Sequence, residues 1–108
     1  MKKSILYTLF ILAANSLFLL ANGTGKELYQ SCAGCHGEKG EEVALQKSKL
    51  IGGQDSNLTI KELIAYKNGE LNQYGLGNIM KLQLSTISEE EIKELANYIE
   101  SLDKNVSD

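Results

Sequence analysis

The chain has no proline and no arginine; all eleven of its basic residues are lysines, and histidine occurs once. Without proline there is no Pro-rich linker, and punctuation falls to glycine and to helix caps. Internal repeats and low-complexity tracts are missing, and 108 residues leave room for at most one domain. The chain reads as helices joined by glycine-bearing loops, with no credible strand. The long apolar run, Ile5 to Leu20, is sixteen residues, short of the ~20 that span a bilayer comfortably.

That run is nevertheless the core of a targeting segment. Lys2 and Lys3 precede it and Ala21-Asn22-Gly23 supplies small residues after it, the order found in a secretory signal peptide. Residues 1–23 are therefore expected to be a leader cut after Ala21 or Gly23, with an uncleaved anchor as the alternative. Residues 24–108 are then the functional domain. With the leader gone, nine lysines face fourteen acids, a net charge of −5. Nucleic acid is disfavoured as a partner by that sign, and a partner with a basic docking face is favoured.

Three capping boxes organise the rest. Thr24 to Glu27 opens a short helix expected to run into Cys32, Thr59 to Glu62 opens a second, and Ser88 to Glu91 opens the third. Leu58 and Leu63 stand in staple positions around the second box, and Asn68-Gly69 supplies a left-handed stop. In the third helix Ile92, Leu95, Ala96, Ile99 and Leu102 share one face. Val43 to Leu50 is a loop or a short helical turn. Between Gly69 and Ser85 no sustained period is expected, so Met80 falls in a glycine-bearing loop. Gly52-Gly53 marks either a close approach to something bulky or a positive φ, with an ordinary flexible loop as the alternative.

The chemistry centres on Cys32-Ala33-Gly34-Cys35-His36. Two thiols separated by two residues, followed at once by an imidazole, form the pattern by which c-type haem is attached. Each thiol adds to one vinyl group on the same side of the porphyrin, and His36 turns under the ring towards the iron. A thioredoxin-like pair expects a βαβ surround that the chain does not offer. A zinc site needs four ligands, and two Cys with one His stop at three. A mature chain of about 85 residues builds only a small core, so the haem becomes part of it and the apoprotein is expected to be largely unfolded.

What faces the other side of the iron decides between carrier and enzyme. Met80 is the candidate: the other methionine is Met1, no second histidine exists, and both cysteines are committed. A thioether favours ferrous iron and closes the sixth position. A haem enzyme or gas sensor with that position open is the rival reading. A module permanently attached to a larger oxidoreductase is another.

With these residues placed, the chain resembles a class I c-type cytochrome of the small monohaem kind found in bacterial periplasms. Gly25, Leu28, Tyr29, Cys32, Cys35 and His36 match its first helix and haem motif; Tyr74-Gly75 through Met80 resembles its methionine loop, and Leu95-Ala96-x-Tyr98-Ile99 its last helix. The resemblance implies an all-α cytochrome c fold, three main helices and glycine-rich loops wrapped around one covalent haem c, with the first helix crossing the last through Gly25 and Tyr29. It implies a periplasmic, monomeric electron carrier that is not an enzyme and is not embedded in a membrane. Its partners would be a membrane quinol-oxidising cytochrome complex and a terminal oxidase or cytochrome peroxidase, docking beside Cys32 to His36 with Lys47, Lys49 and Lys81 around the rim. The family's proline, whose carbonyl orients the axial histidine, is absent here, so Leu50 to Gly53 is expected to supply that acceptor.

Overall fold

The structure, a computed structural model, describes residues 24–102. The expected leader lies outside the described residues, as do 103–108. The described residues form α1 (Gly25–His36), a single 3-10 turn (Ala44–Gln46), α2 (Ser56–Lys67), α3 (Gly77–Gln83) and α4 (Glu89–Ser101), with no strand among them. None of these helices is long and apolar enough to cross a membrane. The fold is all-α, as the sequence implies, but with four α-helices where three were expected.

Local signals explain where most of the helices begin and end. The Thr24 hydroxyl accepts the Glu27 N–H at 3.3 Å, and at α4 both halves of the Ser88–Glu91 box are formed, at 3.0 and 3.1 Å. Each such cap satisfies a donor that the helix itself leaves orphaned. At the far end of α2 the Gly69 N–H reaches the Tyr66 carbonyl and the Glu70 N–H that of Ala65, with Gly69 at φ 75°, the paired bonds of a Schellman stop.

Three expectations are corrected. Helix α1 does not end at Cys32; it runs to His36 and stops where Gly37 takes φ 85°. Both thiols and the imidazole therefore lie on one continuous stretch of helix. Helix α2 starts three residues before Thr59, because Asp55 is its N-cap and accepts the Leu58 N–H at 3.1 Å. Thr59 then sits inside the helix, its hydroxyl donating back to the Asp55 carbonyl, and Leu58 is exposed rather than stapled. Met80 lies not in a loop but in α3. Gly77 begins that helix because the Asn72 side chain accepts its N–H at 2.8 Å and because the Leu71 carbonyl leaves no room for a β-carbon.

The core joins α1, α2 and α4. Tyr29, Leu63, Leu84, Ile87, Ile92, Leu95 and Ile99 form one buried cluster, and the face of α4 read from its spacing is the buried one. Helix α1 crosses α4 at close range: a β-carbon on Gly25 would lie 2.3 Å from the Glu94 carbonyl oxygen. One turn on, the Tyr29 and Tyr98 rings stack at 5.5 Å, tilted by 49°, a favourable aromatic geometry. The glycine pair makes a close approach, to backbone, and Gly53 takes φ 79°. Gly52 packs on the Lys39 carbonyl, its N–H and that of Ile51 both reach the Gly40 oxygen at 3.1 Å, and the Gly53 N–H reaches Ile99. Backbone meets backbone there, pinning the long loop to the end of α4.

Tyr29 is 1% exposed and donates its hydroxyl to the Gly37 carbonyl at 2.6 Å. Burial, with a smaller contribution from the neighbouring Cys32, pushes its pKa up to about 12. The unfolded chain gives up that proton near pH 10 and the folded chain holds it longer, so this contribution to stability is complete below pH 10 and is lost between 10 and 12. Denaturation midpoints are expected to fall over that interval. Tyr29→Phe should remove this part of the decline while costing about 1 kcal/mol at neutral pH for the lost hydrogen bond.

Candidate cofactor site

Cys32, Cys35 and His36 on α1 and Met80 on α3 all line one cleft, together with Leu63 and Tyr66 of α2. Its empty space, counting the part open to solvent, is about 870 Å³. Leu76, Ile79 and Leu84 form one wall and Ala44 and Leu45 another, so the lining is overwhelmingly apolar. Leu45 holds φ 51° at the mouth, a left-handed backbone rarely taken by a branched side chain.

The donor atoms differ in environment. Cys32 is half-buried and Cys35 exposed, and neither is in a disulfide. Burial pushes the Cys32 thiol up from its usual pKa, so it is a protonated thiol at neutral pH. His36 is 8% exposed, and burial pulls its pKa down, leaving a neutral imidazole with a free lone pair. Its Nδ1 is enclosed and has no hydrogen-bond partner. The acceptor expected from Leu50 to Gly53 is therefore not in place, and the Ile51 carbonyl takes the Gln54 N–H instead.

These features test the fit of the implied group. An apolar slot carrying two free thiols, a neutral imidazole with an orphaned nitrogen and a soft thioether suits a flat apolar macrocycle with a metal at its centre. It does not suit the alternatives. Among the described residues no three His, Cys, Asp or Glu side chains converge as a metal cluster, and no sheet stands behind the Cys pair as in a thioredoxin site.

Sequence reasoning missed the α3 wall. Leu76, Ile79, Met80, Gln83 and Leu84 all line the cleft, at helical spacing that Gly75 and Gly77 disguise in so short a segment. It also missed Lys67, whose ammonium donates to the Leu84 carbonyl at 3.0 Å and the Ile87 carbonyl at 2.5 Å. The Leu84 amide in turn donates to the Met80 carbonyl at 3.0 Å, so Lys67 ties the helix carrying Met80 to the end of α2. Lys67→Met should cost about 2 kcal/mol in urea denaturation of the holoprotein, the price of a charged donor withdrawn from half-buried carbonyls. Of the three expected rim lysines, Lys47 and Lys81 are exposed. Lys49 instead pairs with Glu62 at 2.7 Å.

The sequence pattern of the cytochrome c family matches residues 23–103. A cytochrome c-553 of Helicobacter pylori is 39% identical over 101 residues, covering 93% of this chain and 98% of that protein. The cytochrome c-553 of Nitratidesulfovibrio vulgaris is 33% identical over 104 residues, 93% of this chain and 99% of its own. A cytochrome c4 of Pseudomonas aeruginosa is 28% identical over 91 residues, which are 84% of this chain and 45% of the relative. A single covalently bound haem c is the cofactor that goes with this family and this size of domain. By its sequence pattern, its all-α fold and the cleft between α1 and α3, the chain belongs to the cytochrome c family.

Proposed function

We propose that the protein is a periplasmic single-electron carrier, not an enzyme, in which Cys32 and Cys35 hold the haem by thioethers and His36 and Met80 are its two axial ligands. The observation that carries this reading is that all four side chains, drawn from two helices far apart in sequence, line one apolar cleft. Haem, once attached, supplies a one-electron Fe(III)/Fe(II) couple.

The protein's own residues set the conditions for that couple. Cys32 and Cys35 would supply the two sulfurs of the thioether links. His36, kept neutral by burial, offers its lone pair without first losing a proton. Met80 brings a soft sulfur that favours the reduced metal and leaves no position for oxygen or peroxide. Leu63, Leu76 and Leu84 exclude water, so little solvent has to reorganise when the charge changes. Cys35 is exposed beside the cleft, which leaves that edge accessible for transfer to a partner.

The partners proposed are a membrane quinol-oxidising cytochrome complex as donor and a terminal oxidase or cytochrome peroxidase as acceptor. The leader, residues 1–23, is removed on export. Mass spectrometry of protein purified from the periplasm should show a chain that starts after Ala21 or Gly23 and carries the added mass of one haem. Its oxidised spectrum should contain the sulfur-to-iron charge-transfer band in the red. A high-spin spectrum with rapid carbon monoxide binding would overturn the carrier reading in favour of an open-site haem protein.

A further inference from the structure

The cleft has a side chamber that carries polar groups. Its empty space, counting the part open to solvent, is about 450 Å³; it shares His36, Leu63, Tyr66 and Met80 with the cleft and is also lined by Lys49, Gln54, Thr59 and Glu62. The Glu62 carboxylate accepts from the Lys49 ammonium at 2.7 and 2.9 Å, from the Gln54 amide at 2.8 Å and from Gln73 at 3.2 Å. The Gln54 amide also donates to the Thr59 hydroxyl at 2.8 Å. This ion pair is the partly sheltered one, with side-chain exposures of 32% and 16%; the Lys93–Glu90 pair on the outside of α4 stands at 56% and 86%.

We propose that the Lys49–Glu62 pair is a charge-balancing device for the redox centre, each member alone biasing the iron towards a different oxidation state. The proposal rests on the haem reading above. Ferric haem carries one more positive charge than ferrous haem, so an unpaired anion on the cleft wall stabilises the oxidised form and an unpaired cation the reduced form. Together Lys49 and Glu62 present no net charge. Exposed pairs are screened by water and salt, whereas a pair on the wall of a cleft filled by an apolar macrocycle is screened far less. Gln54 and Gln73 hold the carboxylate in position, so that removing the lysine leaves the anion against the chamber.

The test is a redox titration of holoprotein against a mediator of fixed potential, read from haem absorbance, for the parent, Glu62→Gln, Lys49→Gln and the double variant, with Lys93→Gln as control. Glu62→Gln should shift the reduced-to-oxidised ratio upward and Lys49→Gln downward. Each shift should be on the order of tenfold, the size of effect an unpaired nearby charge has at an effective dielectric of ~20. The double variant should return close to the parent, and Lys93→Gln should stay within about twofold of it. Shifts of the same sign, or none, would overturn the proposal. So would loss of the red sulfur-to-iron band in a single variant while the parent keeps it, because the pair would then be holding the site together rather than balancing its charge. A parent protein lacking that band would instead sink the ligation reading, which separates the two failures.

Discussion

Met80→Ala is expected to give a holoprotein that still carries covalent haem, has lost the red sulfur-to-iron band, has a lower reduction potential and shows weak peroxidase activity. Met80 is held on both sides by helix bonds, its amide to the Leu76 carbonyl at 3.1 Å and its carbonyl to the Leu84 amide at 3.0 Å. Lys67 fixes the next segment by donating to the Leu84 and Ile87 carbonyls. The side chain is thus presented to the cleft by a short helix rather than by a free loop. On the proposed ligation, truncating it would remove the soft ligand and leave a position that water or peroxide can enter. The cost in stability should be about 2 kcal/mol, at the lower end for Met→Ala, because the site is half-buried. His36 provides the contrast: its replacement should prevent stable holoprotein altogether, since imidazole and thioethers act from the same helix. Absorption spectra and a redox titration decide the matter, and an unchanged potential in Met80→Ala would mean that Met80 was not bound.

The second large effect concerns the crossing of α1 and α4. Gly25→Ala should destabilise the holoprotein by about 2–3 kcal/mol, the upper range for overpacking. The new β-carbon would meet the Glu94 carbonyl oxygen at 2.3 Å and the Tyr98 β-carbon at 2.7 Å, and neither moves without displacing a helix. Gly34→Ala is the control on the same helix. No atom lies within 4 Å of its β-position, and alanine is the better helix former by about 1 kcal/mol. The two substitutions should therefore move the urea midpoint in opposite directions. Equal effects would show that the helices do not meet as closely as the structure places them.

Features specified within a few residues of chain were legible before folding. The Ser88 box, the Thr24 cap, the Gly69 stop and the buried face of α4 all depend on spacings of three or four residues, and all are formed. The start of α2 shows how a local signal misleads when two compete. Thr59 and Glu62 make a plausible box, yet Asp55 caps the helix earlier. The Thr59 hydroxyl then bonds within the helix while Glu62 turns to Lys49, thirteen residues back. Gly52-Gly53 announced a close approach without revealing what approaches, because Lys39 and Gly40 lie a dozen residues earlier on another part of the loop.

The amino-acid order alone determined the all-α class, the haem attachment motif with its adjacent histidine and Met80 as the available thioether, because covalent spacing and residue type are enough to specify them. Only the tertiary structure decided that Met80 rides on a helix, that Lys49 is tied to Glu62, that His36 Nδ1 is left without an acceptor and that Gly25 lies against Glu94. Each of these depends on which distant backbone or side chain reaches a given atom first. That competition is settled by packing, and no short-range pattern encodes it.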